Sequence, residues 1–358
     1  MSAKKRVVVA MSGGVDSSSA AAILQSKGHD VIGITLRLWA PSEWNDGDKF
    51  GSCCSPRDIA DAKEVCRKLG IPHYTMNMED KFRESVVDDF VSEYEAGRTP
   101  NPCVRCNAFV KFDSLLNYAV AMEADALATG HYAKAWSGRL FKAKDAAKDQ
   151  SYFLYMLGQK ELPRLMFPLG DLTKDEARLI AEDAGLPNAR KPDSQDVCFL
   201  EGRDYRDFIK ERMSALARKG LIKTSDGRVI GEHAGLPFYT IGQRGGLGIA
   251  TGERTYVLHK EAGSNTLVVG AAEETLAASC RLKSVSWCSG SAPDSVMASV
   301  KIRYRHPGAR AQITSLSPGE ARVDFEVPQA SAAPGQSAVF YDGDEVLGGG
   351  VIDDVRRS

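Results

Sequence analysis

Short apolar runs alternate with amphipathic stretches in the first part of the chain. Residues 6–11 and 30–37 are rich in β-branched side chains and predict buried strands. Helices are predicted at 17–26, which is rich in alanine, and at 56–68, where apolar positions recur at helical spacing. The alternation continues to a strand at 126–129. This order predicts an α/β fold with a doubly wound parallel sheet and helices on both faces.

Further segments of this part follow the same two periods. They are a strand at 73–76 and helices at 82–96, 109–122 and 172–185. In the last helix, Thr173 is the predicted N-cap and Glu176 has the reciprocal position of a capping box. Residues 41–55 have no hydrophobic period and predict a long loop.

The pattern changes after about residue 205. One helix is predicted at 205–219, and short β-rich runs separated by Gly, Pro, Ser and Asp follow it. The predicted strands are residues 238–241, 255–259, 267–270, 281–287, 298–305, 309–313, 321–325, 337–341 and 345–352. Regularly spaced short strands indicate a small β-barrel. A length of 358 residues also indicates two or three domains.

Composition excludes some classes of protein. No apolar run reaches the roughly 18 residues that span a bilayer, and no signal peptide is evident, so we expect no membrane segment and a cytoplasmic location. The net charge of −1 does not indicate nucleic-acid binding. If RNA is a substrate, basic residues must be grouped locally. Two candidate groups are Lys142, Lys144 and Lys148, and Lys301, Arg303, Arg305 and Arg310.

A glycine-containing segment, SGGVDSS at residues 12–18, follows a predicted strand and opens a predicted helix. Its glycines allow a close approach of the backbone to a ligand, and the N–H groups of the helix start attract an anion. It lacks both the Lys-Ser/Thr of the common kinase loop and the G-x-G-x-x-G of dinucleotide folds. The segment resembles the PP-loop of the N-type ATP pyrophosphatases. The resemblance implies binding of the ATP pyrophosphate, attack of a substrate oxygen on the α-phosphate, and Mg²⁺ to balance charge.

The spacing of the eight cysteines indicates a reactive or metal-binding set rather than a disulfide framework. Cys103 and Cys106 form a Cys-x-x-Cys, and Cys198 lies far away within DSQDVCFL. The neighbouring Arg105 and a helix predicted to start near Phe109 would favour a thiolate at Cys106. The remaining cysteines in apolar patterns are expected in the core: Cys66, Cys280 and Cys288.

Three interpretations of the cysteines stay open. A structural zinc site takes four ligands, and the adjacent Cys53 and Cys54 cannot easily share one tetrahedron. Redox or sulfur-transfer chemistry would use Cys106 and Cys198. An iron–sulfur cluster would be held by Cys103, Cys106 and Cys198 with one iron open, although clusters usually take four thiolates.

Several segments together carry a family resemblance over essentially the whole chain. They are the PP-loop, RTPNPCVRCN at 98–107, ATGHYA at 128–133, KDQSYFL at 148–154, SQDVCF at 194–199, YTIGQR at 239–244 and KIRYR at 301–305. With these motifs the chain resembles the tRNA-specific 2-thiouridylases. The resemblance implies three domains: a PP-loop catalytic domain at 1–204, a small central domain at 205–275 and a C-terminal β-barrel at 276–358.

The same resemblance implies a reaction. ATP adenylates the 2-oxygen of the wobble uridine of tRNA. Cys198 matches the residue that carries a persulfide delivered by a protein sulfur donor, either a cysteine desulfurase or a relay protein. Cys106 matches the nucleophile that releases the sulfur by forming a disulfide with Cys198, which divides one difficult step into two easier ones.

Positions of the family motifs imply binding residues. Nucleotide contacts are expected from Ala10, Met11, Ser12, Gly13, Gly14, Val15, Asp16, Ser17, Leu36 and Gly130. The target base is expected to meet Asn101, Pro102 and Cys103, and other parts of the tRNA to contact Lys148, Asp149, Gln150, Tyr304 and Arg305. Base-modifying enzymes require an unstacked nucleotide in a pocket.

One position departs from the family pattern. Well-known members have an aspartate with an acid/base role where this chain has Cys103, and a thiol is a poorer proton donor. The departure favours a [4Fe-4S] cluster as an alternative sulfur carrier. Two rival functions also predict different behaviour: PP-loop ligases with an amine nucleophile need no cysteine pair, and an RNA-binding protein with a relic site would release no pyrophosphate.

Overall fold

The computed structural model describes residues 3–39, 56–192, 197–200, 204–212, 218–249 and 252–357. The loop predicted at 41–55, which contains Cys53 and Cys54, and four residues of the Cys198 motif lie outside this part. The described strands of the first domain are β1 (Arg6–Ala10), β2 (Asp30–Arg37), β3 (His73–Asn77), β4 (Ala126–Ala128), β5 (Lys134–Trp136), β6 (Arg139–Phe141) and β7 (Leu165–Met166). Five of them form one parallel sheet in the order β3-β2-β1-β4-β7.

Alternate side chains of β1 face two separate apolar clusters. Val8 belongs to the larger cluster, whereas Val7 and Val9 pack into a second one with α1 and α2. The sheet is therefore covered on both faces, as a parallel sheet requires. This confirms the predicted doubly wound α/β fold. The described helices of the domain are α1 (Val15–Ser26), α2 (Pro56–Leu69), α3 (Glu79–Phe82), α4 (Asp88–Glu95), α5 (Pro102–Arg105), α6 (Leu116–Ala121) and α7 (Lys174–Asp183).

π-helical turns join some of these helices. Arg83–Val87 connects α3 to α4, and Cys106–Leu115 connects α5 to α6. The helix predicted at 109–122 therefore begins at Pro102, ahead of both cysteines of the pair. At α7 the Thr173 side chain accepts a hydrogen bond from Glu176 N, and the Glu176 carboxylate accepts one from Thr173 N. The predicted capping box is confirmed.

A small sheet forms the core of the central region. After α8 (Tyr205–Arg212), its strands are β8 (Gly220–Thr224), β9 (Val229–His233), β10 (Tyr256–Glu261) and β11 (Thr266–Gly270), in the order β10-β11-β8-β9. The strand predicted at 238–241 is wrong. A 3₁₀ turn at Leu236–Phe238 lies there between two glycines of positive φ, and its apolar side chains pack as a loop against the core.

The C-terminal strands close into a six-stranded antiparallel barrel. They are β12 (Leu276–Trp287), β13 (Ser295–Lys301), β14 (Ala309–Ser317), β15 (Glu320–Ala330), β16 (Ser337–Asp342) and β17 (Glu345–Arg357). Their order is β12-β15-β14-β13-β16-β17, and pairing of β12 with β17 closes the ring. The predicted barrel is confirmed, although the strand predicted at 298–305 already ends at Lys301, and residues 302–305 form turns.

The first domain extends the sheet of the barrel. The hairpin β5–β6, which the sequence analysis did not predict, adds two strands because β6 pairs with the start of β17. Within the described residues, no helix is long and apolar enough to cross a membrane.

Candidate active site

The residues predicted to contact the nucleotide lie at the carboxyl ends of three neighbouring parallel strands. Ala10 ends β1, Leu36 lies near the end of β2, and Gly130 follows β4. Met11 N donates a hydrogen bond to Ile34 O at 2.8 Å, which continues the sheet into the loop. Ligands of open α/β sheets bind in the crevice at this edge. The fold therefore brings the predicted nucleotide contacts together.

The loop leaves the start of α1 open for an anion. Gly13 has φ of +71°, and a Cβ at this residue would lie 2.3 Å from Asp58 O, so only glycine fits. Gly14 is the N-cap of α1 and makes no side-chain capping bond. The first N–H groups of a helix need partners from outside the helix, and a phosphate satisfies them.

Serine hydroxyls tie the loop to α1. The Ser17 hydroxyl accepts a hydrogen bond from Ser12 N at 3.1 Å and lies 3.1 Å from Gly14 O, to which it donates. Ser18 donates to the same Gly14 oxygen at 3.0 Å. In this arrangement the two hydroxyls form hydrogen bonds with the backbone of the loop and stabilise its shape.

Two residues missed by the sequence analysis hold the Gly13 carbonyl. Asn188 Nδ2 donates to Gly13 O at 3.0 Å and to the Ser18 hydroxyl at 2.9 Å. Lys191 Nζ lies 3.2 Å from the same Gly13 oxygen. Both donors pull this carbonyl to one side of the loop. These two bonds fix the orientation of the Gly13 peptide within the loop.

Lys191 is also anchored by two carboxylates at the start of α2. Its Nζ lies 2.6 Å from Asp58 Oδ1 and 2.6 Å from Asp61 Oδ2. Burial works against the charged form, but the hydrogen bonds and charges of Asp58 and Asp61 raise the pKa of Lys191. The lysine is therefore a charged bridge between α2 and the loop.

The Asp16 carboxylate at the start of α1 has two partners on other elements. Tyr132 donates to its Oδ1 at 2.9 Å, and Lys174 Nζ lies 2.7 Å from the same oxygen. Both partners are buried, with exposed fractions of 2% for Tyr132 and 8% for Lys174. Gly130 contacts the same turn, because a Cβ there would lie 2.7 Å from Ser17 N.

The cysteine pair lies on a continuous helix. The Asn101 side chain accepts a hydrogen bond from Val104 N at 3.4 Å, and Pro102 is the first helical residue. Cys103 is exposed in the first turn, whereas Cys106 is buried in the next. The prediction that Cys106 precedes the helix is therefore wrong. Only Cys103 lies in the turn where the helix dipole acts most strongly on a thiol.

Arg105 is occupied by an acidic partner. Its guanidinium lies 2.7 Å from Asp89 Oδ1 and 4.6 Å from the centre of the Phe109 ring. Burial raises the pKa of Asp89 while the Arg105 charge works in the opposite direction. The positive charge predicted to activate Cys106 is thus largely compensated by Asp89.

Cys198 starts a 3₁₀ turn and packs, half-buried, against the main core cluster that contains Cys106. The six cysteines within the described ranges are thiols rather than disulfides. No group of three or more His, Cys, Asp or Glu in the described part of the chain is arranged to hold a metal ion. Cys103, Cys106 and Cys198 are accordingly not assembled as a ligand set in this structure. Burial raises the pKa of Cys66, Cys280 and Cys288 to about 12, which agrees with their predicted role in the core.

The residue after Cys106 connects it to the predicted tRNA contacts. Asn107 is 2% exposed, and its Nδ2 donates to Phe153 O at 3.0 Å. The Phe153 ring packs on Tyr304 of the barrel, with ring centres 4.7 Å apart. A predicted tRNA contact and the helix of the predicted nucleophile therefore touch the same 3₁₀ turn, Ser151–Leu154.

The two basic groups of the sequence converge at the junction of the catalytic domain and the barrel. Lys142 Nζ and Lys301 Nζ lie 4.8 and 5.6 Å from the centre of one ring, that of Tyr341. Lys148 and Arg305 both act on the pKa of Tyr304, which burial raises. Three members have carboxylate partners: Lys142 lies 3.8 Å from Asp344 Oδ1, Lys144 pairs with Glu176, and Arg310 pairs with Glu326.

Two residues that are predicted to contact tRNA, Asp149 and Gln150, have side chains that make hydrogen bonds within the protein. Asp149 is buried, and its carboxylate accepts hydrogen bonds from Ala143 N, Ser151 N and the Ser151 hydroxyl. Gln150 Oε1 accepts one from Tyr132 N at 2.9 Å. These side chains shape the loop between the nucleotide site and the barrel, and their contact with tRNA remains a prediction.

Comparisons with known proteins give a consistent result along the chain. Family models match at residues 5–202 (tRNA methyl transferase HUP domain), 206–271 (tRNA methyl transferase PRC-barrel domain) and 277–352 (Aminomethyltransferase beta-barrel domain). The tRNA-specific 2-thiouridylase MnmA of Geobacter metallireducens is 48% identical over 358 residues, covering 98% of this chain and 97% of the relative.

Other curated relatives agree with this match. The tRNA-specific 2-thiouridylase MnmA of Geotalea uraniireducens is 46% identical, covering 98% of this chain and 95% of the relative. The protein of the same description from Desulforamulus reducens is 44% identical, covering 99% of this chain and 98% of the relative. The chain belongs to the family of tRNA-specific 2-thiouridylases.

Proposed function

We propose that the chain is a tRNA-uridine 2-sulfurtransferase that uses ATP to activate a uridine of tRNA before sulfur replaces the 2-oxygen. The observation that carries the proposal is its membership of the 2-thiouridylase family over nearly the whole length. The open start of α1 beside Gly13 and Gly14 supports it, because adenylation needs a site for the pyrophosphate of ATP.

The activation step is assigned to the nucleotide loop. The 2-oxygen of uridine attacks the α-phosphate of ATP, a phosphorus–oxygen bond forms, and pyrophosphate leaves. Peptide N–H groups of the loop stabilise the negative charge on the departing pyrophosphate. Mg²⁺ is expected with the nucleotide, because this ion is usually bound through phosphates and one or two carboxylates. Asp16 at the start of α1 would offer the ion its Oδ2, because its Oδ1 accepts hydrogen bonds from Tyr132 and Lys174.

The sulfur step is assigned to Cys198 and Cys106. A protein sulfur donor leaves a persulfide on Cys198, and its outer sulfur attacks C2 of the adenylated uridine, which expels AMP. The Cys106 thiolate then attacks Cys198 Sγ. A Cys106–Cys198 disulfide forms, and the bond between Cys198 Sγ and the sulfur on C2 of the base breaks. The product 2-thiouridine then leaves. A thiol reductant must reduce the disulfide before the next turnover.

The iron–sulfur alternative assigns the sulfur to a cluster on Cys103, Cys106 and Cys198. Its basis is Cys103, which stands where the family resemblance implies an aspartate. The described residues do not fit this group as they are arranged, because the three thiols do not form a ligand set. We therefore derive no step through a cluster, and Cys103 is left with an auxiliary role near the target base.

Substrate tRNA is proposed to bind across the junction of catalytic domain and barrel. The side chains of Lys148, Lys301 and Arg305 supply positive charge there, and Lys142 adds to it although Asp344 lies 3.8 Å from its Nζ. Phosphate contacts dominate the affinity for nucleic acids. Action on tRNA agrees with the predicted cytoplasmic location, which is part of the proposal.

The test compares two activities in protein purified without oxygen. Wild-type protein with ATP, tRNA and a persulfide donor should release pyrophosphate and form 2-thiouridine. Cys106→Ser and Cys198→Ser should retain pyrophosphate release but lose thiolation by more than about a hundredfold, since the nucleophile is removed. Cys280→Ala, a change at a buried barrel cysteine, is the matched control and should retain both activities.

Each alternative predicts another outcome. Full thiolation by both serine variants would contradict the sulfur-transfer assignment. Bound iron together with activity that a chelator abolishes would establish the cluster route instead. Absence of pyrophosphate release by wild-type protein would contradict the ATP-dependent activation itself.

A further inference from the structure

The barrel contacts the short strip that leads from α4 into the cysteine helix. The strip, residues 98–101, has no regular secondary structure of its own. Thr99 N donates to Pro334 O at 2.9 Å, and Gln336 Nε2 donates to Thr99 O at 3.0 Å and to Pro100 O at 3.4 Å. The buried peptide groups of the strip therefore obtain hydrogen-bond partners from the barrel, as buried backbone groups require.

The contact is too close for any residue but glycine at its centre. Gly335 is buried and has φ of +92°, and a Cβ there would lie 2.8 Å from both Thr99 N and Thr99 O. The loop is itself fixed to β17. Gly335 N donates to Ile352 O at 2.8 Å, and Ile352 N donates to Gln336 O at 2.8 Å. The loop 334–336, here named the clamp, is thus bonded to β17 as part of the barrel wall.

The clamp contacts Thr99, which lies two residues before the N-cap of the cysteine helix. Asn101, which caps that helix, follows Thr99 and Pro100 directly, and Cys103 is in the first turn. Ser337, the residue after Gln336, makes a second contact with the first domain. Its carbonyl oxygen accepts a hydrogen bond from the Tyr152 hydroxyl at 2.8 Å. Tyr152 belongs to the same 3₁₀ turn that receives the hydrogen bond from Asn107. The barrel therefore bonds directly to the strip before Cys103, and it bonds to the 3₁₀ turn that accepts the hydrogen bond of Asn107, the residue after Cys106.

We propose that the clamp is a positioning element of the reaction. It fixes the strip that precedes the target-base residues Asn101 to Cys103, so the cysteine helix keeps its place against tRNA bound on the barrel. The inference rests on the proposed function. It adds that Gly335 and Gln336 act on turnover without touching tRNA or ATP.

Substitution of Gly335 tests this assignment against a matched glycine. Gly335→Ala should lower kcat for thiolation about ten- to a hundredfold, because misplacement by an ångström has effects of that size. Its Kd for tRNA and its KM for ATP should stay within about twofold of wild type. Gly319→Ala is the control. Gly319 has φ of +79° in a barrel turn, and a Cβ there meets nothing within 4 Å.

A second variant covers the case in which Gly335→Ala does not fold. Gln336→Glu keeps the size of the side chain but replaces the donor to Thr99 O and Pro100 O with an acceptor. It should also lower kcat at unchanged tRNA affinity. Gln312→Ala removes another barrel amide, which bonds to Ser295 Oγ away from the strip, and should have little effect.

The outcomes separate this inference from the proposed function. Clamp variants that turn over like their controls, or that lose kcat only in proportion to lost tRNA binding, would overturn the positioning role while wild-type thiolation stands. Wild-type protein that releases no pyrophosphate and forms no 2-thiouridine would instead contradict the proposed function.

Discussion

Gly130 follows β4 and contacts the first turn of α1, next to the proposed nucleotide loop. A Cβ on this residue would lie 2.7 Å from Asp16 C and 2.7 Å from Ser17 N. Contacts under 3.0 Å with backbone atoms force a shift. Because Asp16 and Ser17 form the first turn of α1, Gly130 sets the distance between this turn and the neighbouring strand.

Replacement of Gly130 therefore predicts a defect in the ATP step. Gly130→Ala should reduce ATP-dependent pyrophosphate release by at least about tenfold, since displaced N–H donors stabilise developing charge poorly. Gly263→Ala is the control, because a Cβ at Gly263 meets no atom within 4 Å. Steady-state pyrophosphate release at saturating tRNA measures both. Equal rates for the two variants would contradict a role of Gly130 in shaping the loop.

Residues around the loop differ in how far the sequence could predict them. The SGGVDSS motif was enough to identify the loop, because the residues that form the loop are adjacent in the sequence. Asn188 and Lys191 hold the Gly13 carbonyl from 175 and 178 positions away. A pairing of that separation leaves no periodic signal in one sequence. Single-sequence reasoning therefore could not find it.

At the scale of elements, the cysteine helix shows a signal that was present and missed. Asn101 followed by Pro102 is a favoured pair for an N-cap and a first helical residue. The structure uses both residues in this way, and the helix starts at Pro102. The amphipathic period from Phe109 onward had predicted only the later part. Capping residues were the better guide to the helix start.

Strand β10 carries a lysine in an apolar contact. Lys260 Nζ donates to Tyr239 O at 3.1 Å and lies 5.9 Å from the centre of the Tyr94 ring on α4. Burial lowers the pKa of Lys260 to about 8. The unfolded chain, with an ordinary lysine pKa of about 10.4, binds more protons between these two values. Stability from this group therefore rises as the pH increases from about 8 to about 10.

Replacement of Lys260 gives a pH-dependent prediction. Lys260→Met should raise the melting temperature at pH 7, where the wild type holds a charge on a partly buried side chain, and the gain should shrink at pH 9.5. The exposed Lys219→Met should change neither value. Thermal unfolding of the three proteins at both pH values checks this. A gain that is equal at pH 7 and 9.5 would show that protonation of Lys260 does not contribute.

For the whole molecule, the near-zero net charge concealed a local concentration of cations. Lys142 and Lys301 are 159 positions apart in the chain yet flank one tyrosine ring. The sequence identified both groups as runs of basic residues. It could not show that the end of β13 and the loop after β6 bring them to Tyr341 on β16, because this depends on tertiary packing.

Salt dependence of tRNA binding should report on this junction. Arg305→Ala should weaken tRNA binding and reduce the slope of log Kd against log salt by about one, as expected for loss of one phosphate contact. Arg310→Ala serves as the control because Arg310 is paired with Glu326. Filter binding between 50 and 200 mM salt measures the slopes. An unchanged slope for Arg305→Ala would place the tRNA elsewhere.

The shared sheet of barrel and catalytic domain has a consequence for biogenesis. The hairpin β5–β6 finds its partner strand only at Glu345, about two hundred residues later in synthesis. Likewise, Thr99 in the strip before the cysteine helix gains its hydrogen-bond partners only after Pro334 and Gln336 have been synthesised. A nascent or C-terminally truncated chain thus carries both cysteines and the nucleotide loop in an unfinished setting. Such a chain lacks the barrel partners of both the hairpin β5–β6 and the strip 98–101.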